Sequence, residues 1–239
     1  EKVNFNFAGV KKSTKGNDDS FLCGKMIVDV EKNDDIGFAR YQLFAGTAWL
    51  FSREEMDGFL DYLIVDEAGQ VSLSNMVAMG TSAKNIVLLG DQMQLGQPIQ
   101  GVHPGDSGLS TLDYLLQDRA TIPPEMGIFL ATTWRMHPNV CRFISDAVYD
   151  GRLLPEPGNE KRKLILKTNH HPCLRPSGIV YLPIAHEGCS QFSEQEAKAT
   201  NEIYENLLKQ YFTEKNGNHH QLKNANILPC DADRQTQPQ

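Results

Sequence analysis

Two apolar runs that each stop at an acidic residue constrain this chain most. Tyr62-Leu63-Ile64-Val65 runs into Asp66-Glu67, and Asn85-Ile86-Val87-Leu88-Leu89 runs into Gly90-Asp91. An unbroken apolar run is what a strand buried on both faces of a parallel sheet requires, whereas a strand with one wet face would alternate. Ser72 to Met79 fits a short crossover helix between them, so the strands are expected to be parallel neighbours in a right-handed βαβ unit. In an open α/β sheet, ligands bind beyond the carboxyl ends of the strands, where both acidic ends of this chain fall. An Asp there can hold Mg²⁺ directly or through water, and an adjacent Glu can polarise an attacking water, as phosphoryl transfer requires. Taken alone, the pair could equally cap a strand end and the following helix.

The remaining pattern is also α/β. Leu43 to Leu50, Ile128 to Ala131 and Ile179 to Leu182 read as strands. Asn139 to Tyr149 reads as a helix with Val140, Phe143, Ile144 and Val148 on one side. Ser193 with Glu196 three residues later starts a helix whose stripe is Ala197, Thr200, Tyr204, Leu207, Leu208 and Tyr211. Pro155 to Pro176 reads as an exposed loop region, its basic run Lys161-Arg162-Lys163 a solvated face, and Asn216 to Asn224 as a second polar loop. Near the start, Lys11-Lys12-Ser13 and Asn33-Asp34-Asp35 read as turns around Met26-Ile27-Val28.

Charge and cysteines narrow the setting. Lys and Arg number 23 against 30 Asp and Glu, a net charge of −7 that disfavours wholesale coating of nucleic acid but allows a local basic groove. No apolar run approaches the roughly 18 residues that span a bilayer, so no membrane partner is expected. Cys23, Cys141, Cys173, Cys189 and Cys230 form no C-x-x-C pair, which points to thiols in a reducing, cytoplasmic compartment.

Three short phrases then agree in order: Asp66-Glu67-Ala68-Gly69-Gln70, then Leu88-Leu89-Gly90-Asp91-Gln92-Met93-Gln94-Leu95, then Thr133-Trp134-Arg135-Met136-His137-Pro138. In order and approximate spacing they resemble motifs II, III and IV of superfamily 1 helicases. The resemblance covers Phe44 to Leu208, with Asp61 to Leu116 the closest match. It points to the branch of the nonsense-mediated-decay helicases and the bacterial helicases fused to RecB-like nucleases.

That resemblance implies a P-loop NTPase of RecA-like fold, with parts of two tandem lobes. Residues 1–125 would be the end of the first lobe, carrying motifs II and III, and residues 126–239 the start of the second, carrying motif IV. It implies ATP and Mg²⁺ as cofactors and single-stranded DNA or RNA as partner, with a nuclease domain joined in the full-length protein. Asp66 would bind Mg²⁺ and Glu67 would activate water. Gln94 would sense the γ-phosphate and couple hydrolysis to nucleic-acid binding. Arg135 would reach across a cleft as an arginine finger, a device worth about 10³–10⁵ in rate. Gln70 and Asp91 would support the nucleotide site, and Thr47, in Gly46-Thr47-Ala48, would contact the nucleic-acid backbone.

A complete member also needs a phosphate-cradling loop, G-x-x-x-x-G-K-[ST], upstream of the acidic pair. Gly24-Lys25 does not supply it, because Asp19 stands at the first glycine and Met26 at the hydroxyl position. Motifs V and VI should follow Ile227-Leu228, where the chain instead reads Pro229-Cys230-Asp231-Ala232-Asp233-Arg234. The expectation is a helicase fragment with a divergent tail over 229–239, inactive alone as an ATPase, or else a degenerate module that binds without hydrolysis. Two further constellations point elsewhere. Gly105-Asp106-Ser107-Gly108 resembles the nucleophile region of trypsin-like proteases without their His and Asp context, and Ser107 reads as a turn or helix cap. His170, His171, Cys173, His186 and Cys189 are zinc ligands by type but lack a knuckle spacing.

Overall fold

Which face of each apolar run finds a covering layer decides the architecture. A computed structural model describes residues 6–94, 96, 101, 104–185, 187–188 and 192–228. The chain divides into two compact units, Glu1–Asp118 and Arg119–Gln239.

The first unit is parallel α/β. Strands β1 (Gly9–Lys12), β2 (Ile27–Val30) and β3 (Leu43–Ala45) form a parallel sheet in the order β2-β1-β3. Lys11 and Lys12, expected in a turn, are therefore strand residues, and the turn begins at Ser13. The strand expected over Leu43 to Leu50 stops at Ala45, because α1 (Ala48–Phe51) follows and turns Leu50 fully into the core. Strands β4 (Leu60–Val65) and β5 (Ala83–Leu88) pair in parallel, with Val65 opposite Leu88, and α2 (Leu73–Gly80) connects them. Ser72 caps α2 by accepting from the Asn75 N–H at 3.3 Å, the contact its residue type favours. Helix α3 (Thr111–Leu116) is capped by Ser110. Ser107 sits in the preceding 3-10 turn, its hydroxyl bonded to the Pro104 carbonyl, so the cap belongs to the later serine.

The core joins these elements through Val10, Leu50, Met56, Leu63, Val65, Ala68, Met76 and Leu112. Helices cover one face of the β4–β5 pair. On the other, Tyr62 and Ile64 are 65% and 64% exposed, so the expectation of burial on both faces fails here. Alternating contact, not alternating residue type, separates Leu63 and Val65 from their neighbours.

The second unit mixes short parallel and antiparallel pairs. Strands β6 (Thr132–Thr133) and β7 (Leu154–Pro155) are parallel, with α4 (Pro138–Val148) between them. The strand expected at Ile128 to Ala131 does not form as such: Ile128 and Leu130 are largely exposed, and pairing begins only where the Ala131 carbonyl accepts from Leu154. Helix α4 buries Cys141 and Ser145; of the expected stripe, Val140, Ile144 and Val148 are half-buried beside them, and Phe143 is exposed. The Ser145 hydroxyl accepts from the Leu153 N–H at 3.0 Å, which explains a serine on the buried side. Burial pushes the Cys141 thiol above its usual range.

Strands β8 (Lys163–Ile165), β9 (Tyr211–Thr213) and β10 (His219–Gln221) form an antiparallel sheet, β8 and β10 lying where two polar loops were expected. Leu164 and Phe212 pair across it, supplying the apolar contact the surrounding polar residues hide in sequence. Ile179 to Leu182 forms no strand and is exposed. Helix α5 (Glu194–Leu207) starts at Ser193 as expected, the hydroxyl accepting from the Glu196 N–H at 3.3 Å. Of the expected stripe, Tyr204, Leu207 and Leu208 are half-buried together with Ala199, Ile203 and Asn206, Ala197 and Thr200 are exposed, and Tyr211 lies beyond the helix in β9. Buried Gln210 fastens its end, accepting from Lys167 N–H and donating to the Asn206 carbonyl. No helix among the described residues is long and apolar enough to cross a membrane.

One carboxylate organises the loop after β1. Asp29 accepts from the hydroxyl of buried Ser13 at 2.7 Å and from the N–H groups of Leu22 and Cys23. The Ser13 hydrogen bond, aided by those amides and by Lys11, holds the Asp29 carboxyl below the usual carboxylate range. A depressed folded value means the stabilisation is present above the unfolded pKa and lost as pH falls through the folded one. Asp29→Asn is therefore expected to lower the melting temperature at neutral pH and to flatten the decline between about pH 5 and pH 2, both read by thermal denaturation across pH.

Candidate functional site

The acidic ends of β4 and β5 meet through backbone. Past the last ladder pair, the Leu89 N–H donates to the Val65 carbonyl at 2.8 Å, and the Ala68 N–H donates to the Leu89 carbonyl at 2.8 Å. The turn over Asp66–Gln70 is thus laid on the segment Leu89–Asp91. Two glycines make this approach possible. A Cβ on Gly69 would fall inside the Asp91 carbonyl, and one on Gly90 would lie 2.8 Å from the Ala68 nitrogen. Ala68, between the acidic pair and Gly69, is fully buried.

Glu67 adopts a left-handed conformation, φ 53° and ψ 41°. For a residue with a Cβ this costs about 1–2 kcal/mol, and the hydrogen-bonded turn around it supplies the constraint. Its N–H donates to the Asp66 carboxylate at 3.0 Å, and both side chains are exposed at the sheet's carboxyl edge. Gln70 closes the turn, its N–H donating to the Glu67 carbonyl at 2.8 Å. Asp91 folds the following segment on itself: its carboxylate accepts from the Met93 N–H at 3.0 Å and from the Gln94 side-chain amide at 3.2 Å. Gln94 is exposed beside it. Five of the expected site residues therefore stand on two adjoining turns of the first unit. Leu95, the last residue of the second motif, lies outside the described residues, as do His103 of the loop before Pro104, His186, Cys189, Cys230 and the tail 229–239.

Thr47 is in the first unit too, exposed at the start of α1, where its carbonyl accepts from the Leu50 N–H at 2.9 Å. Gly24 and Lys25 precede β2, whereas a phosphate loop follows a strand and opens a helix.

Arg135 belongs to the second unit, on the turn Thr133–Met136. That turn is held by side chains that sequence reasoning had placed in a loop. The amide of Asn159, fully buried, donates to the carbonyls of Thr133 at 3.3 Å and Met136 at 3.1 Å. The Arg162 guanidinium donates to the carbonyls of Trp134 and Arg135 at 3.3 and 3.4 Å. The Thr133 hydroxyl accepts from the Arg135 N–H, and Lys215 sits 5.2 Å from the Trp134 ring centroid. His137 caps α4 through its ring nitrogen, 3.1 Å from the Asn139 N–H. A lone Asn between Gly158 and Glu160 gives no sequence signal for this brace.

The donor set was weighed for a metal. Among the described residues no group of three or more His, Cys, Asp or Glu could hold a cation by itself; His171 and Cys173 form only a 2.9 Å pair. A Mg²⁺ that takes its other ligands from nucleotide phosphates and water needs one or two carboxylates, and exposed Asp66 at the strand end fits that requirement.

No family model matches the chain. Several characterised proteins do match part of it. The chain is 34% identical to the probable helicase MAGATAMA 3 of Arabidopsis thaliana over 111 residues, 46% of this chain and 13% of that protein. It is 31% identical to the DNA replication ATP-dependent helicase/nuclease dna2 of Schizosaccharomyces pombe over 112 residues, 46% of this chain and 8% of the relative. It is 27% identical to the ATP-dependent helicase upf1 of the same yeast over 155 residues, 62% of this chain and 16% of the relative. The chain thus spans less than a fifth of the length of these relatives, and the matches support a superfamily 1 helicase-like region within it.

Two substitutions probe the two turns. Gly69→Ala is expected to break the Ala68–Leu89 contact and lower the melting temperature of the first unit, because backbone, not a flexible side chain, blocks the new Cβ. Asn159→Ala strips the Met136 carbonyl of its side-chain donor, while the Thr133 carbonyl keeps the Glu156 N–H at 2.9 Å, and is expected to cost about 1–3 kcal/mol in denaturant unfolding of the second unit.

Proposed function

We propose that this chain is part of an ATP-dependent superfamily 1 helicase, its two units being portions of two RecA-like lobes. The observation that carries this reading is the pair of adjoining turns at the carboxyl edge of β4 and β5, which sets Asp66, Glu67, Asp91 and Gln94 on one edge. In this reading Asp66 holds Mg²⁺ carried by ATP, and the metal supplies charge neutralisation at the phosphates. Glu67, turned outward by its left-handed backbone, orients and deprotonates the attacking water. Gln94, tethered to Asp91, senses the γ-phosphate, with Gln70 bordering the site. Arg135 is the arginine finger, its planar guanidinium suited to charge that develops on phosphoryl oxygens. Thr47 contacts the backbone of single-stranded DNA or RNA. The names of the relatives support nucleotide use and nucleic acid as partner, and one of them includes a nuclease. The unpaired thiols Cys23, Cys141 and Cys173 suit a reducing, cytoplasmic setting.

A second reading rests on the phosphate loop that these 239 residues lack. Among the described residues no loop replaces the lysine and backbone amides that grip the β- and γ-phosphates, so in this reading the chain by itself would be a module that binds a partner without hydrolysis. The encoding DNA on both sides separates the readings: an upstream phosphate loop and downstream motifs in continuous frame fit part of a working helicase, whereas stop codons at both edges fit a degenerate module. The pure chain is expected to release no phosphate from Mg-ATP above background. Turnover that Glu67→Gln abolishes would overturn that expectation.

A further inference from the structure

The basic run Lys161-Arg162-Lys163, a solvated face by sequence, contributes Arg162 and Lys163 to a cavity of the second unit. This cavity, of about 700 Å³, is lined by Arg162, Lys163 and Lys215 together with apolar Leu164 and Phe212. The two apolar residues are cross-strand partners on β8 and β9, so the sheet gives the cavity an apolar patch beside its cations. Lys215 is committed to Glu156 at 3.3 Å and to the Trp134 ring. Glu214, the carboxylate of the wall, lies 3.6 Å from His220. The positive groups turned to solvent are therefore Arg162 and Lys163.

We infer that this cavity is a landing site for single-stranded nucleic acid on the second unit, with Lys163 and Arg162 on a phosphate and a base lodged against Phe212 and Leu164. Cations beside an aromatic surface are what a strand needs, since phosphate and base present charge and an apolar face one bond-length series apart. A free anion would need only the cations. The Arg162 guanidinium has five N–H donors, and part of it already braces the carbonyls of Trp134 and Arg135. A strand phosphate on that guanidinium would thus touch the brace of the turn that carries Arg135. The inference rests on the helicase reading for its ligand class and adds a place where the strand binds.

The test is fluorescence anisotropy of a labelled oligothymidylate against the intact chain across a salt series. Lys163→Glu is expected to weaken binding roughly fivefold or more near 0.1 M salt and to lower the slope of log affinity against log salt by about 0.7, the value for one single-strand phosphate contact. Lys198→Glu, the same charge change on the exposed side of α5, is expected to leave the slope unchanged. Equal weakening by both variants would mean bulk charge alone, and would overturn the inference. Unaltered affinity in Lys163→Glu would put the strand elsewhere, overturning the inference while leaving the helicase reading standing. A chain that binds no strand would overturn both.

Discussion

The close backbone approach between the turn after β4 and the turn after β5 is the constraint on which the first unit's acidic edge depends. Parallel pairing of Val65 with Leu88 brings the two strand ends level. The Ala68 to Leu89 hydrogen bond then extends the ladder into the loops, and the missing side chains of Gly69 and Gly90 let the two segments touch. Ala68 is buried as a result, and Asp66 and Glu67 have nowhere to point but outward. A larger residue at either glycine would not merely strain a turn; it would separate the carboxylates from the Asp91–Gln94 segment.

The second unit solves a similar problem by other means. Its Thr133–Met136 turn has only a two-residue strand beneath it, too short for the sheet to orient the turn. Asn159 and Arg162 therefore bridge to its carbonyls from a segment more than twenty residues later. Hydrogen bonds from a buried amide are directional and costly to leave unmade, so they can stand in for a ladder. The price is dependence on a few side chains: one truncation loosens the turn, whereas a ladder would share the loss.

Legibility followed contact range. The βαβ pairing of β4 with β5 and the cap at Ser193 could be read because each rests on residues close in sequence. Strand β8 was missed because its stabilising neighbour is far along the chain, Leu164 against Phe212, and β10 because its own residues, His219, His220 and Gln221, are polar. The two most buried positions of α4 were missed for a related reason. Cys141 and Ser145 are buried by the loop at Leu153, which periodicity within the helix does not register.

By itself the sequence determined the order of acidic and basic groups, the strand ends on which they fall, and the absence of a phosphate loop, because these are properties of neighbouring residues. Only the tertiary structure decided which face of β4 is covered, that Asn159 grips the turn of Arg135, and that Arg162 and Lys163 line a cavity rather than a bare loop. Burial and hydrogen bonding across tens of residues are set by packing, and packing is not written in any short stretch of chain.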